Sequence, residues 1–568
     1  MKTTMKRSLV IIGIMVLLAN LTMIKAFSIK GSPMKHRRPT RPYVVASGWI
    51  LQTIVPPSPI ISAPFCIQIY IDGRLIVDGP KGKMVSIDEK GNIEPTDIPS
   101  AGVFWDVSDD GRIWSYNMFE GKLNVTDADS HHVREIGTVE IGYSTGSLSV
   151  AADGSVVYFT IAETHSPTNH SRLYRYRESE GIQIVAEDKP GTFTAVEVTR
   201  KGLVYIVGVG NIFRLGPDDQ PQIINHRNDY YPVSISSDED GNLYYAAFGN
   251  NKSRGIYRYN PKKGNPTRIL ALGPHQIPPT GLAWDRFHKR LLAVQKEEQQ
   301  IYELKNGQLF GILDNRHMLS TPIAIAIRND GEVFVNGDEC GVQHISKDGL
   351  VSRLHNHLVS YQPPPAGMVF AKNGELYYTG AAPGFDSRIY RIDKQGNAVK
   401  IAQSKGSPSG IAISPNGSIY YADYARHTIF RLENDGRSIP IREGIPYPVG
   451  LVISKNGVFY VATAEKIIYN NRGPLDEYNR TQIVKFTLKG KAETVFSDKS
   501  ANLSFFDVAE DGTLIIPRFQ RLIAVSPKGV ITNLACGFDM IRDAKIALDG
   551  SIYISDYGAA ALYRLVRR

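Results

Sequence analysis

Residues 407–436 read SPSGIAISPNGSIYYADYARHTIFRLENDG, a pattern typical of two short strands, a tight turn and a third strand. Apolar residues alternate with smaller or polar ones on both sides of Asn416 and Gly417. An Asn-Gly pair between alternating runs is the strongest short hairpin signal, and we expect both residues to have positive φ. Three strands cannot bury their apolar faces alone, so this unit must pack against others.

The same hairpin recurs along the chain. It occurs twelve times, 38 to 55 residues apart, with Lys289 in the glycine position of one unit. The turn glycines are Gly73, Gly111, Gly154, Gly202, Gly241, Gly331, Gly374, Gly417, Gly457, Gly512 and Gly550. A strand-rich repeat of this length predicts four-stranded propeller blades, and rings usually contain about four to eight of them. We therefore predict an all-β fold of tandem β-propellers, two rings of six four-stranded blades; a five-plus-seven division is the alternative.

The N-terminal region has the pattern of an export signal. A basic start and an apolar run from Leu9 to Ile24 predict a signal peptide over 1–26, with a retained signal-anchor as the alternative. Residues 27–42 read as a basic Pro/Arg linker, and the propellers are predicted at 43–306 and 307–568. The body should therefore be secreted, periplasmic or on the cell surface, with membrane contact only through the N-terminal segment.

The last blade lacks a fourth strand of its own, because the chain stops at its third strand, ALYRLVRR (561–568). An unpaired edge is an aggregation hazard, so another segment must cover it. We predict that GQLFGIL (307–313) pairs with 561–567 and closes the second ring. By the same reasoning, YVVASGWILQTIV (43–55) should complete the blade of the first ring that contains RLLAVQ (290–295).

Charge and cysteine content exclude several classes of protein. Nine of the 65 Lys and Arg residues lie within 1–42, which has no Asp or Glu, so 56 basic residues face 56 acidic ones in 43–568. A nucleic-acid-binding protein needs a basic surface, so no nucleic-acid partner is predicted. Cys66, Cys340 and Cys536 allow at most one disulfide, so the apolar core must stabilise the fold.

The repeat resembles a known group of propellers. Residues 407–436, TPIAIAIRNDGEVFVNG (321–337) and YPVGLVISKNGVFYVAT (447–463) resemble the NHL-repeat pattern of Pro-x-Gly, apolar strand, Asp/Asn-Gly and apolar strand. They are also similar to the senescence-marker/gluconolactonase, strictosidine synthase-like, streptogramin lyase and YWTD propellers. The resemblance implies six-bladed propellers; because this group includes enzymes, receptors and scaffolds, it does not imply one activity.

The lactonase relatives carry an Asn before the glycine that corresponds to Gly410, and that Asn helps to hold a catalytic divalent metal. Ser409 occupies this position here, and a hydroxyl is a poorer ligand for Ca²⁺ than an amide carbonyl. The resemblance therefore implies Ca²⁺ or Mg²⁺ only if the chain is an enzyme of that type. We predict no metal ligands and no certain cofactor.

The rim opposite the hairpin turns is the predicted binding surface, because loops on a rigid scaffold commonly carry function. Six residues after each hairpin glycine, the first ring has only uncharged residues, whereas the second has Asp423, Arg518 and Asp556. The predicted ligand-binding residues are Ser409, Asp423, Thr463, Arg518, Arg542 and Asp556. The alternative is structural: as in YWTD-like blades, each Asp would cap backbone groups of a neighbouring strand, and the arginines would pair with the carboxylates.

One repeat contains an insertion, AEKIIYNNRGPLDEYNRT (464–481), on the same rim. Long loops in compact domains are commonly functional, and aromatic and arginine side chains dominate binding surfaces. We predict that Tyr469, Arg472 and Tyr478 form a recognition loop; a disordered excursion is the alternative.

Together these features predict an exported, non-catalytic double propeller that binds a protein, glycan or small ligand through the rim of its second ring. The alternative is a metal-dependent hydrolase or lyase of the lactonase or streptogramin lyase type. A structural surface scaffold without a pocket is a third reading. Catalytic residues cannot be assigned, because the sequence has no Ser-His-Asp order, phosphate loop or zinc signature.

Overall fold

The computed structural model describes residues 42–568 with gaps. The residues it leaves out are 58–66, 79–82, 89, 101–103, 118–119, 140–143, 164–170, 189–192, 228, 250–252, 273–277, 296–299, 314–317, 320–321, 338–340, 355–366, 381–386, 394–397, 465–468, 471–472, 475–480 and 499–504. The predicted signal peptide and most of the linker lie outside the described residues, as do Cys66 and Cys340; Cys536 is a free cysteine. The described part contains no helix that is long and apolar enough to cross a membrane.

Two compact units divide the chain. The first contains the described residues within 59–315, and the second contains those within 316–568 together with 42–57. The predicted ranges, 43–306 and 307–568, differ from this division in two places. Residues 43–57 belong to the second unit, and residues 307–315 fall in the range of the first.

The first unit is a propeller of six four-stranded antiparallel sheets, which we number blades 1 to 6. Each blade consists of four consecutive strands, and the first strand of each blade lies innermost. The strands are Ile67–Ile69, Leu75–Asp78, Lys83–Ile87 and Ile93–Pro99 in blade 1; Phe104–Val107, Ile113–Asn117, Lys122–Thr126 and Val133–Thr138 in blade 2; Ser144–Val150, Val156–Glu163, Ser171–Arg177 and Gly181–Asp188 in blade 3; Phe193–Val198, Val204–Gly208, Asn211–Leu215 and Pro221–His226 in blade 4; Tyr230–Ser237, Leu243–Gly249, Gly255–Tyr259 and Pro266–Ala271 in blade 5; Gly281–Asp285, Arg290–Gln295, Gln300–Lys305 and Gln308–Gly311 in blade 6.

The second unit contains blades 7 to 12, of which the last two share one seven-stranded sheet. In blades 7 to 10 the strands are Pro322–Ile327, Val333–Gly337, Gly341–Ile345 and Val351–Arg353; Met368–Phe370, Leu376–Gly380, Ser387–Ile392 and Ala398–Ser404; Pro408–Ile413, Ile419–Asp423, Thr428–Leu432 and Ser438–Glu443; Pro448–Ile453, Phe459–Ala464, Thr481–Phe486 and Glu493–Asp498, with the short pair Tyr469–Asn470 and Gly473–Pro474 inserted in blade 10. The shared sheet of blades 11 and 12 contains Tyr43–Val44, Trp49–Val55, Asp507–Val508, Leu514–Val525, Ile531–Ile546, Ile552–Asp556 and Ala561–Arg567. The predicted fold class, all-β with two six-bladed propellers, is confirmed.

The hairpin turns follow the repeat, but with a different turn type from the one expected. Gly417 has a φ of 87°, whereas Asn416 is not among the residues with positive φ. The Gly417 N–H donates to the Ser414 carbonyl (2.8 Å), so a type I turn precedes a glycine in the left-handed region, as in three-residue hairpins. Lys289, which replaces the glycine in blade 6, has a φ of 52° and keeps this conformation.

Both predicted closing strands are wrong. Gln308–Gly311 pairs with Gln300–Lys305, in the same blade, instead of with 561–567. The physical reason is the intervening pair Asn306 and Gly307, whose φ values of 51° and 73° make a true two-residue hairpin turn. A local hairpin needs almost no loop closure, whereas the predicted pairing would close a loop of some 250 residues.

The last blade is instead completed by the N-terminal strand Trp49–Val55, which pairs with Ala561–Arg567 from Trp49 opposite Arg567 to Val55 opposite Leu562. Just before it, Tyr43 and Val44 pair with Cys536 and Ala535 on the outer edge of blade 11. The N-terminal segment therefore fastens two neighbouring blades of the second propeller and takes no part in the sheets of the first.

In the described residues, the first propeller closes by side-chain packing between blades 1 and 6, without an exchanged strand. Apolar residues of blade 1, such as Val77 and Val85, form one buried cluster with Leu292, Val294 and Ile301 of blade 6. Because each of its blades is complete in sequence, this ring needs no exchanged strand. It is one continuous segment inserted between the closing strand of the second propeller and the rest of that ring.

Candidate functional site

Asp423, at the end of the second strand of blade 9, is fully buried and accepts hydrogen bonds locally. Its Oδ1 accepts from the backbone N–H groups of Ser407 (2.9 Å) and Arg426 (3.1 Å), and its Oδ2 accepts from the Ser404 hydroxyl (2.7 Å). Ser404 ends the last strand of blade 8, Ser407 lies just before the first strand of blade 9, and Arg426 follows its second strand, so the three donors lie at the same end of the inner strands. The carboxylate therefore fixes the path of the backbone there.

Asp556 does the same in blade 12. It accepts from the backbone N–H groups of Asp539 (2.9 Å), Met540 (2.8 Å) and Ala559 (3.2 Å). Burial raises its pKa, with a further contribution from Asp539, although the backbone hydrogen bonds oppose this change. Both aspartates thus have the capping geometry that the sequence left open, and Asp423 also joins its blade to the last strand of blade 8 through Ser404.

Ser409 is fully buried, and its hydroxyl donates to the carbonyl oxygens of Pro448 (2.8 Å) and Ala422 (3.2 Å). Equivalent bonds to the next blade occur elsewhere, as from Thr194 to Pro232 (2.8 Å). Thr463, also buried, lies opposite Pro448 in the strand register of blade 10. In the described residues no group of three His, Cys, Asp or Glu side chains could hold a metal ion.

The two predicted arginines contact other partners. The Arg518 Nε lies 2.6 Å from Oδ2 of Asp498, and the Arg542 guanidinium lies 5.1 Å from the ring centre of Tyr557. Tyr557 packs against a buried apolar cluster that includes Phe505. Of the predicted recognition loop, Arg472 and Tyr478 lie outside the described residues, and only the backbone of Tyr469 is described, opposite Pro474.

A groove of about 470 Å³ lies between blades 7 and 8 of the second propeller, with Phe334 and Phe370 in its wall. Four of its ionisable residues pair with one another, and Lys372 donates to the Pro415 carbonyl (3.1 Å). Arg328 contacts Asp330 (2.8 Å) and Glu332, and Glu332 Oε2 lies 2.9 Å from His344 Nε2. We therefore assign no ligand to this groove.

The central channel of the first propeller contains a cavity of about 200 Å³, lined by the inner strands of all six blades. Polar residues line its wall five positions before the hairpin glycines of blades 2, 3, 4 and 5: Asp106, Ser149, Glu197 and Ser236. We call these four residues, together with Ser237, the polar belt. The belt lies before the hairpin glycines, on the inner strands, whereas most of the predicted binding residues lie after them, on the opposite rim.

The polar belt links each blade to the next. Asp106 Oδ2 accepts from the backbone N–H of Val150 (2.9 Å) and from the Ser149 hydroxyl (3.3 Å). Ser149 Oγ in turn accepts from the N–H of Val198 (3.0 Å). In the next two blades, the Ser237 hydroxyl donates to Glu197 Oε1 (2.6 Å), and the N–H of Trp284 donates to Ser236 Oγ (3.0 Å).

The two carboxyl groups of the belt are unusually hard to ionise. Asp106 and Glu197 line the cavity and are half-buried. Burial raises the pKa of Asp106 to about 6. It raises the pKa of Glu197 to about 8, and the charge of Asp106 adds to this effect. Carboxyl groups with such values cluster at functional sites, where a cavity gives them access to a ligand.

Charged residues at the hairpin-turn end of the same cavity form pairs. Arg200 lies 2.5 Å from Oδ1 of Asp109, and Arg286 contacts the same oxygen. Glu239 Oε2 accepts from the indole N–H of Trp284 (2.8 Å). Arg200 and Arg286 thus share the Asp109 carboxylate at this end of the cavity.

No protein-family model and no curated protein matches the chain. Among solved structures, a GH74 enzyme of Niastella koreensis is similar at 11% identity, covering 91% of this chain and 93% of the enzyme, with a TM-score of 0.46. A gluconolactonase of Xanthomonas campestris is similar at 15% identity over 44% of this chain and 88% of the lactonase, with a TM-score of 0.37. The virginiamycin B lyase of Staphylococcus aureus is similar at 13% identity over 59% and 95% of the two chains, with a TM-score of 0.32.

These matches include a lactonase and a lyase, two of the classes that the repeat resembles. At such identities and TM-scores the similarity concerns the fold and does not extend to an activity. The chain is an all-β protein of two six-bladed propellers, and its chemistry must be argued from its own residues.

Proposed function

We propose that this protein is an exported, non-catalytic binding protein that holds a small polar ligand in the central channel of its first propeller. The observation that carries the proposal is the presence of Asp106 and Glu197 in the polar belt. Ser149 and Ser236 accept the N–H of the next blade with a hydroxyl, so this bond does not require a carboxyl group, although Asp507 also makes it with a carboxyl group in the second propeller. Burying a carboxyl group is costly, and a ligand offers a reason for that cost.

The proposal moves the site from the second propeller to the first. On the predicted rim, Asp423, Asp556 and Ser409 satisfy neighbouring backbone groups, and Arg518 pairs with Asp498. In the first propeller, by contrast, polar side chains line an open volume. Export remains a proposal that rests on the apolar N-terminal run of residues 1–26.

The test begins with the purified chain and a search for small molecules that co-purify with it, by native mass spectrometry and by extraction. Each ligand found is then titrated into the wild type and into the double variant Asp106→Asn with Glu197→Gln. Asp543→Asn serves as the matched control, because Asp543 is a buried carboxyl group of the second propeller whose pKa is also raised to about 6.

We expect the double variant to lose at least tenfold in affinity, while the control binds like the wild type. Equal binding by the double variant, or loss of binding in the control alone, would overturn the assignment. Conversion of the ligand to a product would show that the pair acts as general acid and base.

A further inference from the structure

We infer that the first-propeller cavity is a binding site for a compact organic cation, an alkylammonium compound whose N–H groups donate to Asp106 and Glu197. This inference rests on the proposed function and names its ligand class. It follows from the charge balance, the hydrogen-bonding capacity and the size of the cavity.

The charge balance of the cavity is incomplete without a cation. Two other buried acids have a basic partner: Asp285 lies 2.8 Å from Arg290 Nε, and Asp543 lies 3.7 Å from Lys545 Nζ. Asp423 and Asp556 instead accept hydrogen bonds from backbone N–H groups. In the part of the chain that the structure describes, neither Asp106 nor Glu197 forms an ion pair. An ionised carboxyl group in such a place calls for a positive charge close by.

In the described residues the arginines at the end of the cavity form no ion pair with Asp106 or Glu197. Arg200 and Arg286 both contact Asp109 Oδ1. The charged residues that line the cavity are Asp106 and Asp109 from blade 2, Glu197 and Arg200 from blade 4, Glu239 from blade 5 and Arg286 from blade 6. With every group ionised these sum to a net charge of −2, which favours a cationic ligand and disfavours an anionic one.

The hydrogen-bonding groups of the belt lead to the same class. The Ser149 and Ser237 hydroxyls already donate to the two carboxyl groups, and the Ser236 hydroxyl accepts from Trp284. The free capacity of ionised Asp106 and Glu197 is therefore that of acceptors, and an ammonium group supplies up to three donors. Charge-assisted hydrogen bonds of this type are the stronger ones.

The cavity is also small. At about 200 Å³ it is below the range of about 300 to 1,000 Å³ typical of sites for drug-sized ligands. A short amine or diamine fits this limit better than a sugar chain or a peptide.

Binding of a cation must be linked to proton release. Glu197 has a pKa of about 8 and is mostly protonated at neutral pH, whereas Asp106, with a pKa of about 6, is mostly ionised. An ammonium group favours the ionised form of both. Near pH 7 we therefore expect the release of about one proton per ligand and an affinity that rises on the order of a hundredfold between pH 6 and pH 8.5.

The probe is 1,4-diaminobutane, titrated calorimetrically into the full chain at pH 6, 7 and 8.5 in two buffers of different ionisation enthalpy. 1,4-Butanediol and succinate, of the same chain length but neutral and anionic, are the matched ligands. We expect the diamine to bind and to release protons, and the two controls to bind at least tenfold more weakly. Glu197→Gln should abolish proton release at pH 7, and Asp543→Asn should leave it unchanged.

Failure of the diamine to bind, or binding without proton release at pH 7, overturns the inference. If the diol or succinate binds instead and is lost in Asp106→Asn with Glu197→Gln, the cation is wrong while the proposed site stands. If a co-purified ligand is unaffected by that double variant, the proposed site itself is wrong. Should Glu197→Gln fold poorly by circular dichroism, the pH dependence of the wild type still decides the question.

Discussion

Trp49 lies opposite Arg567 in the outermost ladder of the last blade, and the Arg567 guanidinium carbon stands 5.1 Å from the centre of the Trp49 ring. This pairing joins the N-terminal strand to the last strand of the chain. The second propeller is therefore complete only when both are present, whereas the first is continuous in sequence. Since domains generally fold as units during synthesis, the first propeller can close before the second.

The N-terminal strand should therefore determine the stability of the second propeller specifically. Val55 is fully buried in a cluster with Ile325, Val333 and Leu562, so Val55→Ala should cost about 2 kcal/mol of unfolding free energy. Ile50, in the same strand, is 43% exposed, and Ile50→Ala should cost less than about 0.5 kcal/mol. Hydrogen exchange measured by mass spectrometry can locate the effect. Faster exchange in 67–313 with none in 318–568 would contradict the observed closure.

The repeat itself was readable from the sequence, because each hairpin requires a residue that tolerates positive φ, and eleven of twelve units place glycine there. The closure was not. It depended on recognising Asn306-Gly307 as a turn of a different kind, with positive φ at both residues. Because that hairpin places 308–311 in blade 6, the N-terminal strand is the one that completes blade 12.

The candidate site was harder to predict for a physical reason. An aspartate in a repeat position reads the same in sequence whether its oxygens face a ligand or a backbone N–H, and Asp423 does the latter. Asp106 and Glu197 stand in strands that look like ordinary core strands. In the sequence they differ from Ser149 and Ser236, which occupy the same position of the repeat. This difference points to a site only once the structure shows that the position lines the channel.

Asp423 should matter for stability and not for binding. Asp423→Ala leaves the N–H groups of Ser407 and Arg426 without their acceptor, which should cost about 2 to 4 kcal/mol of unfolding free energy in the second propeller. Asp423→Asn keeps one acceptor oxygen and should cost less. Denaturant unfolding measures both changes. A variant with wild-type stability but weaker ligand binding would restore the rim of the second propeller as the site.

Glu197 should make the first propeller less stable as the pH rises. Its pKa is raised from 4.5 to about 8 in the folded state, so the folded state binds the proton more tightly than the unfolded one. Stability is therefore greatest below about pH 4.5 with respect to this group, and falls as the pH rises to 8, by about 1.4 kcal/mol for each unit of pKa difference as an upper limit.

Denaturation experiments between pH 5 and pH 8 in the absence of amines should show this fall in stability. Hydrogen exchange within 67–313 reports it for the first propeller. Glu197→Gln should remove the part of the slope above pH 6. Glu178→Gln is the matched control, because Glu178 is exposed in a turn of blade 3. An identical slope in both variants would mean that another group dominates the titration.

The polar belt permits a substitution that separates its structural role from its proposed binding role. Ser149→Ala removes the acceptor of the Val198 N–H and should cost about 1 to 3 kcal/mol of unfolding free energy. Asp106→Ser places in blade 2 the residue that blade 3 already uses for the same bond, so folding should be retained, and losing a buried carboxyl group offsets part of any packing defect. The Ser variant should nevertheless bind diamine at least tenfold more weakly. Thermal unfolding and calorimetric titration of both variants give the comparison. If Asp106→Ser destabilises the first propeller as much as Ser149→Ala does, the carboxyl group is structural. Its place in the channel then needs no ligand.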